Sequence, residues 1–284
     1  MKKLVASIAI LALATPFAAQ AADLPAAPPP AYKTPVVVPL VYSWTGCYIG
    51  GNVGGKWVEP VGTVTIPGVA GFPTSYFGFD DTSSSGTFIA GGQIGCNYQA
   101  GNVVFGIEGD FDWQHWTDTV GVGPFAPVNF IPGDSFGMTS NWQGSVRGRL
   151  GYAWDRTLFY VTGGVAFTNV GLTANWSPAL CGPPAGPFVP CPGVTAADSE
   201  TLIGGTVGGG VEYALTNNLI LGLEGRYTFY ASQNFNTGSI PITATSPTTF
   251  TYSATSTSLK LDTAEVMAKL NWKFDWGSPV VARY

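Results

Sequence analysis

The sequence predicts an all-β protein, an eight-stranded antiparallel transmembrane β-barrel of the outer-membrane type. Three observations predict it. Apolar residues alternate with small, polar or charged ones in about eight runs, as in Leu221-Gly222-Leu223-Glu224-Gly225-Arg226-Tyr227-Thr228-Phe229. Residues i and i+2 of a strand share a face, so each run carries one apolar and one polar face. The connections alternate between short and long, and no long helical pattern accompanies them.

The strands are expected at 44–58, 86–99, 103–115, 139–154, 158–171, 201–215, 219–232 and 257–274. Ala100-Gly101-Asn102, Asp155-Arg156-Thr157 and Thr216-Asn217-Asn218 read as tight turns. Between them lie segments 59–85, 116–138, 172–200 and 233–256, rich in Gly, Pro, Ser and Thr, expected as long loops. Short turns on one side and long loops on the other match an outer-membrane barrel with both termini in the periplasm.

Alternation alone also fits a soluble eight-stranded barrel with apolar side chains inside. The aromatics decide for the membrane form. Trp57, Tyr98, Trp113, Trp116, Trp142, Tyr152, Trp154, Phe159, Tyr213, Trp272 and Phe274 gather near strand ends on the face expected to point outward. Amphipathic rings at both ends suit the two bilayer interfaces.

Composition supports this reading. Charged residues make up 10% of 284 residues, against roughly 25% in soluble domains. Mean hydropathy is +0.21, yet no segment after the amino terminus is long and apolar enough for a spanning helix. Residues 1–21 are expected as a cleaved signal peptide: Lys2 and Lys3, an apolar core from Leu4 to Ala14, then Ala19-Gln20-Ala21. Loss of the two lysines takes the formal charge from −5 to −7, which argues against a nucleic-acid partner. Residues 22–42 hold six prolines and read as an extended periplasmic linker, 43–274 as the barrel and 275–284 as a periplasmic tail.

Four cysteines suit an oxidising compartment and allow three pairings. Cys47 with Cys96 is favoured, because the first two strands bring them opposite; Cys181 with Cys191 would staple one loop. Nothing in the spacing implies a metal or a cofactor: there is no Cys-x-x-Cys and one histidine.

The segment Trp44-Thr45-Gly46-Cys47-Tyr48-Ile49-Gly50-Gly51-Asn52-Val53-Gly54 resembles the opening strand of small alphaproteobacterial outer-membrane immunogenic proteins, porin-family OmpA-like β-barrel surface antigens. The proline-rich segment resembles theirs, as do Gly205-Thr206-Val207-Gly208-Gly209-Gly210-Val211-Glu212-Tyr213-Ala214 and Val266-Met267-Ala268-Lys269-Leu270-Asn271-Trp272-Lys273-Phe274. The resemblance implies an eight-stranded barrel in the cell outer membrane with surface-exposed loops. Two departures stand out. Cys47 occupies a position that is usually aromatic in that family, and Phe274 is followed by ten residues instead of ending the chain. Phe274 is the expected assembly signal, with Tyr284 as the other candidate, for the barrel-assembly machinery.

Strand parity collects twelve charges toward the axis: Lys56, Glu108, Asp110, Asp112, Arg147, Arg149, Glu212, Glu224, Arg226, Glu265, Lys269 and Lys273. Six acids face six bases, and an unpaired ion in a narrow lumen would cost several kcal/mol. The expected arrangement is a salt-bridge network that plugs the barrel, since eight strands leave an interior just wide enough for side chains. The expected role is envelope structure and surface recognition, with a narrow porin as the alternative.

An outer-membrane lipid-modifying enzyme is disfavoured, with no catalytic residue proposed. His115 sits in a girdle-like Trp113-Gln114-His115-Trp116, and no Gly-x-Ser-x-Gly elbow occurs. Gly91-Gly92, Gly163-Gly164 and Gly204-Gly205 are expected to relieve crowding or let strands bend. Tyr76, Phe77, Phe79, Phe125, Phe130, Phe136, Phe188 and Phe250 fall in the expected loops, where they would meet lipopolysaccharide, host surfaces or the barrel rim. Outer-membrane lipids are the expected partners of the wall.

Overall fold

The computed structural model describes residues 42–68, 73–80, 85–125, 129–181, 189–246 and 249–274. The expected signal peptide, nearly all of the proline-rich segment and the tail lie outside the described residues, as do the side chains of Cys181, Phe188 and Phe250. Among described residues there is no helix. The strands are β1 (Gly46–Ile66), β2 (Ser75–Asp80), β3 (Ser85–Ala100), β4 (Val103–Gly121), β5 (Ser135–Trp154) and β6 (Thr157–Trp176). They continue with β7 (Ala179–Cys181), β8 (Val189–Cys191), β9 (Val194–Ala214), β10 (Leu219–Tyr230), β11 (Gln233–Ser246) and β12 (Thr249–Phe274).

Eight strands form a closed antiparallel ring, β1-β3-β4-β5-β6-β9-β10-β12, and the pairing of β12 with β1 closes it. β2 extends the wall beyond β3 by pairing with β1, and β11 does the same beyond β10 by pairing with β12. The three expected turns occur at one end of the ring. Gly101 and Asp155 take left-handed backbone there (φ 63° and 51°), which glycine and aspartate tolerate.

The segments expected as long loops are largely strand. β1 runs on to Ile66, β4 to Gly121 and β6 to Trp176; β9 begins at Val194 and β12 at Thr249. Thr63-Val64-Thr65-Ile66 shows why: these β-branched residues keep the alternation, and their inward members Val64 and Ile66 are fully buried. Of the loop aromatics, Phe79, Phe130 and Phe136 turn inward and are buried, and Phe77 packs against them; Tyr76 and Phe125 are exposed.

The wall has two chemically opposite halves. In the half nearer the short turns, outward residues are apolar: Ile49, Val53 and Trp57 on β1, and Trp272, Leu270 and Val266 on β12. Exposed Tyr98, Tyr152, Trp154, Phe159, Tyr213 and Trp272 ring its turn end, and Trp57, Trp113 and Trp142 its other end. Ten residues separate Cys47 from Trp57. That is ~33 Å of strand and, after tilt, about the 25 Å band of an outer-membrane barrel.

Beyond this band the pattern inverts. Polar and charged residues enter the outward face, as Glu59, Thr63, Asn169, Lys260 and Asp262, beside Val61 and Phe229. The interior becomes an apolar core that includes Val58, Trp116, Phe136, Met138, Leu172, Trp176, Leu202 and Leu259. Trp116 therefore belongs to the interior, not to the outward girdle. It is three residues from Trp113, so the two cannot share a face of one regular strand.

A bulge marks the boundary. Between Trp113↔Trp142 and Trp116↔Ser140 the register of β4 and β5 shifts, and it shifts again between β5 and β6. The shift lets Ser140 and Gln143, of opposite parity, both face inward. The Asn169 side-chain oxygen accepts from the backbone N–H groups of Asn141 (3.0 Å) and Trp142 (2.9 Å), two donors at the register break.

Candidate functional site

The interior of the membrane-spanning half is the candidate site. Inward parity on β4 sends Glu108, Asp110 and Asp112 to the axis, and on β5 it sends Ser145, Arg147 and Arg149. Glu108 lies directly opposite Arg147 in the ladder. Arg147 Nη2 donates to Glu108 Oε1 (2.7 Å) and Asp110 Oδ2 (3.0 Å), and its Nη1 pairs with Glu224 from across the barrel.

Glu108 is the most heavily shared acceptor. It also takes Tyr48 OH (2.6 Å), Lys269 Nζ (2.6 Å) and Arg149 Nη1 (3.3 Å). Lys269 reaches Glu224 at 3.0 Å, and Tyr160 OH donates to the same carboxylate at 2.7 Å.

Arg226 anchors a second group. Its Nε donates to Glu265 Oε2 (2.7 Å), its Nη1 to Asp110 Oδ1 (3.0 Å) and its Nη2 to Asp112 Oδ2 (3.3 Å). Asn52 and Gln143 supply Asp112 with further donors at 2.9 and 3.2 Å. Lys56 stands 3.7 Å from Glu265 and donates to Gln143.

Arg149 stacks over the Tyr160 ring at 4.0 Å. Its Nη2 lies 2.8 Å from Glu212 Oε1, close enough for an ion pair but without hydrogen-bond alignment. Each of these charges is buried or nearly so. Such ions hold their charge only through mutual pairing and hydrogen bonds, because removing either partner leaves an uncompensated ion. Between Asp110, Arg147, Arg226 and Lys269 no water-sized space remains.

Lys273 is placed differently from the other eleven. It sits at the turn end, where its ammonium donates to Ser43 O and lies 4.3 Å from the Tyr42 ring. There the chain before β1 enters the barrel mouth. Trp44 N donates to Gln99 Oε1 (2.7 Å) and Trp44 Nε1 to Asp155 O (3.3 Å). Tyr42 and Trp44 pack edge to face on a buried cluster with Val104, Leu158 and Ile220.

Sequence reasoning based on charge missed the neutral members of this interior. Tyr48, Asn52, Gln93, Gln143, Ser145, Tyr160 and Asn271 share the inward parity of the charges, and that parity was the available signal. Inward glycines make room for them. A Cβ on Gly91 would lie 2.2 Å from Phe111 O, and one on Gly164 2.1 Å from Val146 O. His115 is exposed on the outer wall at the top of the apolar band, and its carbonyl accepts from Thr87.

Cys47 faces Cys96 across β1 and β3, and the two form a disulfide on the outer surface. Cys191 is disulfide-bonded as well; the side chain of Cys181, its expected partner, lies outside the described residues. Phe274 closes β12 opposite Cys47 and is exposed on the outer face.

Comparison with known proteins agrees with this architecture. The family model described as outer membrane protein beta-barrel domain matches residues 9–274. The chain is 33% identical over 244 residues to the 31 kDa outer-membrane immunogenic protein of Brucella melitensis biotype 1, covering 80% of this chain and 88% of that one. It is 32% identical over 196 residues to the 22 kDa outer membrane protein of Rhizobium leguminosarum bv. viciae, covering 68% of each. The outer membrane protein OprG of Pseudomonas aeruginosa is similar at 10% identity and a TM-score of 0.42, covering 82% of this chain and 98% of that one. The chain belongs to the outer-membrane β-barrel protein family and resides in the outer membrane.

Proposed function

We propose that this protein is a non-conducting surface protein of the outer membrane, contributing to envelope structure and to recognition at the cell surface. One observation carries the reading: the barrel axis is filled at three successive levels. Tyr42 and Trp44 occupy the periplasmic mouth, the ion network fills the membrane zone, and apolar side chains pack the extracellular half. An ion crossing this path would meet two apolar layers, each imposing a desolvation cost of many kcal/mol. The description of the Brucella melitensis relative as an immunogenic protein supports exposure of the outer half at the surface. Tyr76 and Phe125 are among its exposed aromatics, with Tyr252 and Phe229, and Tyr76 and Phe125 are the proposed contacts for lipopolysaccharide or a host surface.

Conductance across a planar bilayer containing the folded protein tests the plug. Current at the baseline of protein-free membrane is expected. Steady unitary steps would favour the narrow-porin alternative and overturn the seal.

A further inference from the structure

The Cys47–Cys96 disulfide joins the first ring strand to the second, and its position in the ladder points beyond a general brace. Of the ten cross-strand pairs from Tyr48 to Trp57, seven contain a glycine: Tyr48↔Gly95, Gly50↔Gln93, Gly51↔Gly92, Asn52↔Gly91, Gly54↔Ile89, Gly55↔Phe88 and Trp57↔Gly86. Cross-strand side-chain pairs contribute roughly 0.2–1 kcal/mol each, and a glycine contributes no such contact. No tight turn sets the alignment either, because β2 and its flanking segments separate β1 from β3. Asn52 donates to Gln93 (2.9 Å) and Gln93 to Gly51 O (3.2 Å), but few other side-chain contacts align the two strands, so β1 and β3 taken as an isolated hairpin are weakly registered.

Register nevertheless decides the interior. In the observed alignment Tyr48 reaches Glu108, Asn52 reaches Asp112 and Lys56 reaches Gln143. These contacts come from β4 and β5, and they are complete only in the closed ring. A slip of two residues keeps apolar side chains outward and so escapes the penalty that protects against a slip of one. It would misplace all three inward residues. The same slip moves opposed Cα atoms about 7 Å along the strand, to a separation of about 8 Å, beyond the reach of a disulfide. Cys47 is also opposite Phe274, so the alignment of β1 sets where the last strand must dock.

We propose that the Cys47–Cys96 disulfide is a register pin: it holds β1 on β3 in the single alignment from which the ring closes with its ion network intact. The pin acts before closure, when neither β12 nor the interior partners yet hold β1. Both sulfurs lie on the outer surface toward the periplasmic end of the apolar band, so the link crosses no part of the interior.

The test refolds the full chain into lipid vesicles and reads register by cross-linking. In the Cys47→Ser, Cys96→Ser background, Ile49→Cys with Ile94→Cys reports the native alignment, and Ile49→Cys with Gly92→Cys reports a two-residue slip. All these positions face outward, and both pairs are compared after oxidation of the folded protein. The slipped pair is expected to cross-link when Cys47 and Cys96 are absent, and to fail when they are retained alongside the reporter cysteines and the chain folds in a thiol–disulfide exchange buffer. The relocated native-alignment pair, left free to form its disulfide during folding in the same exchange buffer, is expected to restore heat-modifiable barrel to the wild-type yield even if the double serine variant does not fold. Cross-linking confined to the native pair in the serine background would overturn the proposal. A relocated link that fails to restore folding would overturn it as well.

Discussion

Lys56 and Val58 point to the same side of β1, one pleat apart, and the barrel interior changes from ionic to apolar between them. Lys56 lies against Gln143 and Glu265, whereas Val58 belongs to the apolar core of the outer half. On the opposite face Trp57 and Glu59 make the reverse change. The strand keeps its phase and only the chemistry of its faces switches. Hydrocarbon outside requires an apolar exterior, and water outside permits the ordinary apolar interior. The membrane boundary on β1 therefore falls between Trp57 and Glu59.

That boundary is measurable with two arginines. Val53 and Thr63 are both outward and exposed on β1, on opposite sides of it. Val53→Arg places a cation in the hydrocarbon and is expected to cost about 2–4 kcal/mol, while Thr63→Arg should stay within about 0.5 kcal/mol. Urea unfolding from vesicles, followed by tryptophan fluorescence, compares them. Equal costs would mean that the apolar band does not end where the side chains change.

Arg147 gives the sharpest test of the network. It touches Glu108, Asp110 and Glu224, and Arg147→Met leaves these acids short of a shared cation in a buried site. A loss of about 3–5 kcal/mol is expected. Arg147→Met combined with Glu224→Met should lose less than the two single variants together, because each removes the other's uncompensated partner. Additive losses in equilibrium unfolding would show that the two side chains act independently.

The ring and its short turns were legible in the sequence because period-two alternation and turn residues are local signals. Cys47 opposite Cys96 followed once the strands were paired. The outer half was not legible, for a physical reason. Its Gly-, Pro-, Ser- and Thr-rich stretches resemble loops, and around Val64 and Ile66 the apolar face remains but turns inward. Ring chemistry alone groups Trp116 with Trp113 on the outward face, although the two stand three positions apart on the strand and so on opposite faces. The charges were found by parity, yet the same parity holds Tyr48, Asn52 and Tyr160, which a search for ions passes over. Lys273 shares the parity too, but the chain at Ser43 meets it at the mouth, and no local pattern predicts that contact.

Asn169 is expected to matter out of proportion to its exposure. Its side-chain oxygen serves two backbone N–H groups at the bulge of β5. Asn169→Ala removes both bonds and is expected to cost about 1–3 kcal/mol. The amides of Asn141 and Trp142 should exchange with deuterium faster, while those of Arg147 and Arg149 on the same strand keep their protection. Unchanged exchange at Asn141 and Trp142 would show that another group serves them.

Asp134 introduces a pH dependence outside the membrane. The residue is buried just before β5, and its carboxylate accepts from Ser177 N (2.8 Å) and Ile131 N (3.0 Å). Burial raises its pKa above the ordinary carboxylate range, and the two amide donors offset this only in part. The unfolded carboxyl titrates near 3.9. With the folded value higher, the stabilising contribution is complete below the unfolded pKa and is lost as pH rises through the folded one. The outer half should therefore be more resistant to urea at pH ~4 than at pH ~7, and Asp134→Asn should flatten that difference by removing the titrating charge. Urea titrations followed at the Ser177 amide by NMR read the local transition. A wild-type midpoint that rises with pH and flattens in Asp134→Asn would mean that amide donation outweighs burial at this carboxylate, reversing the sign.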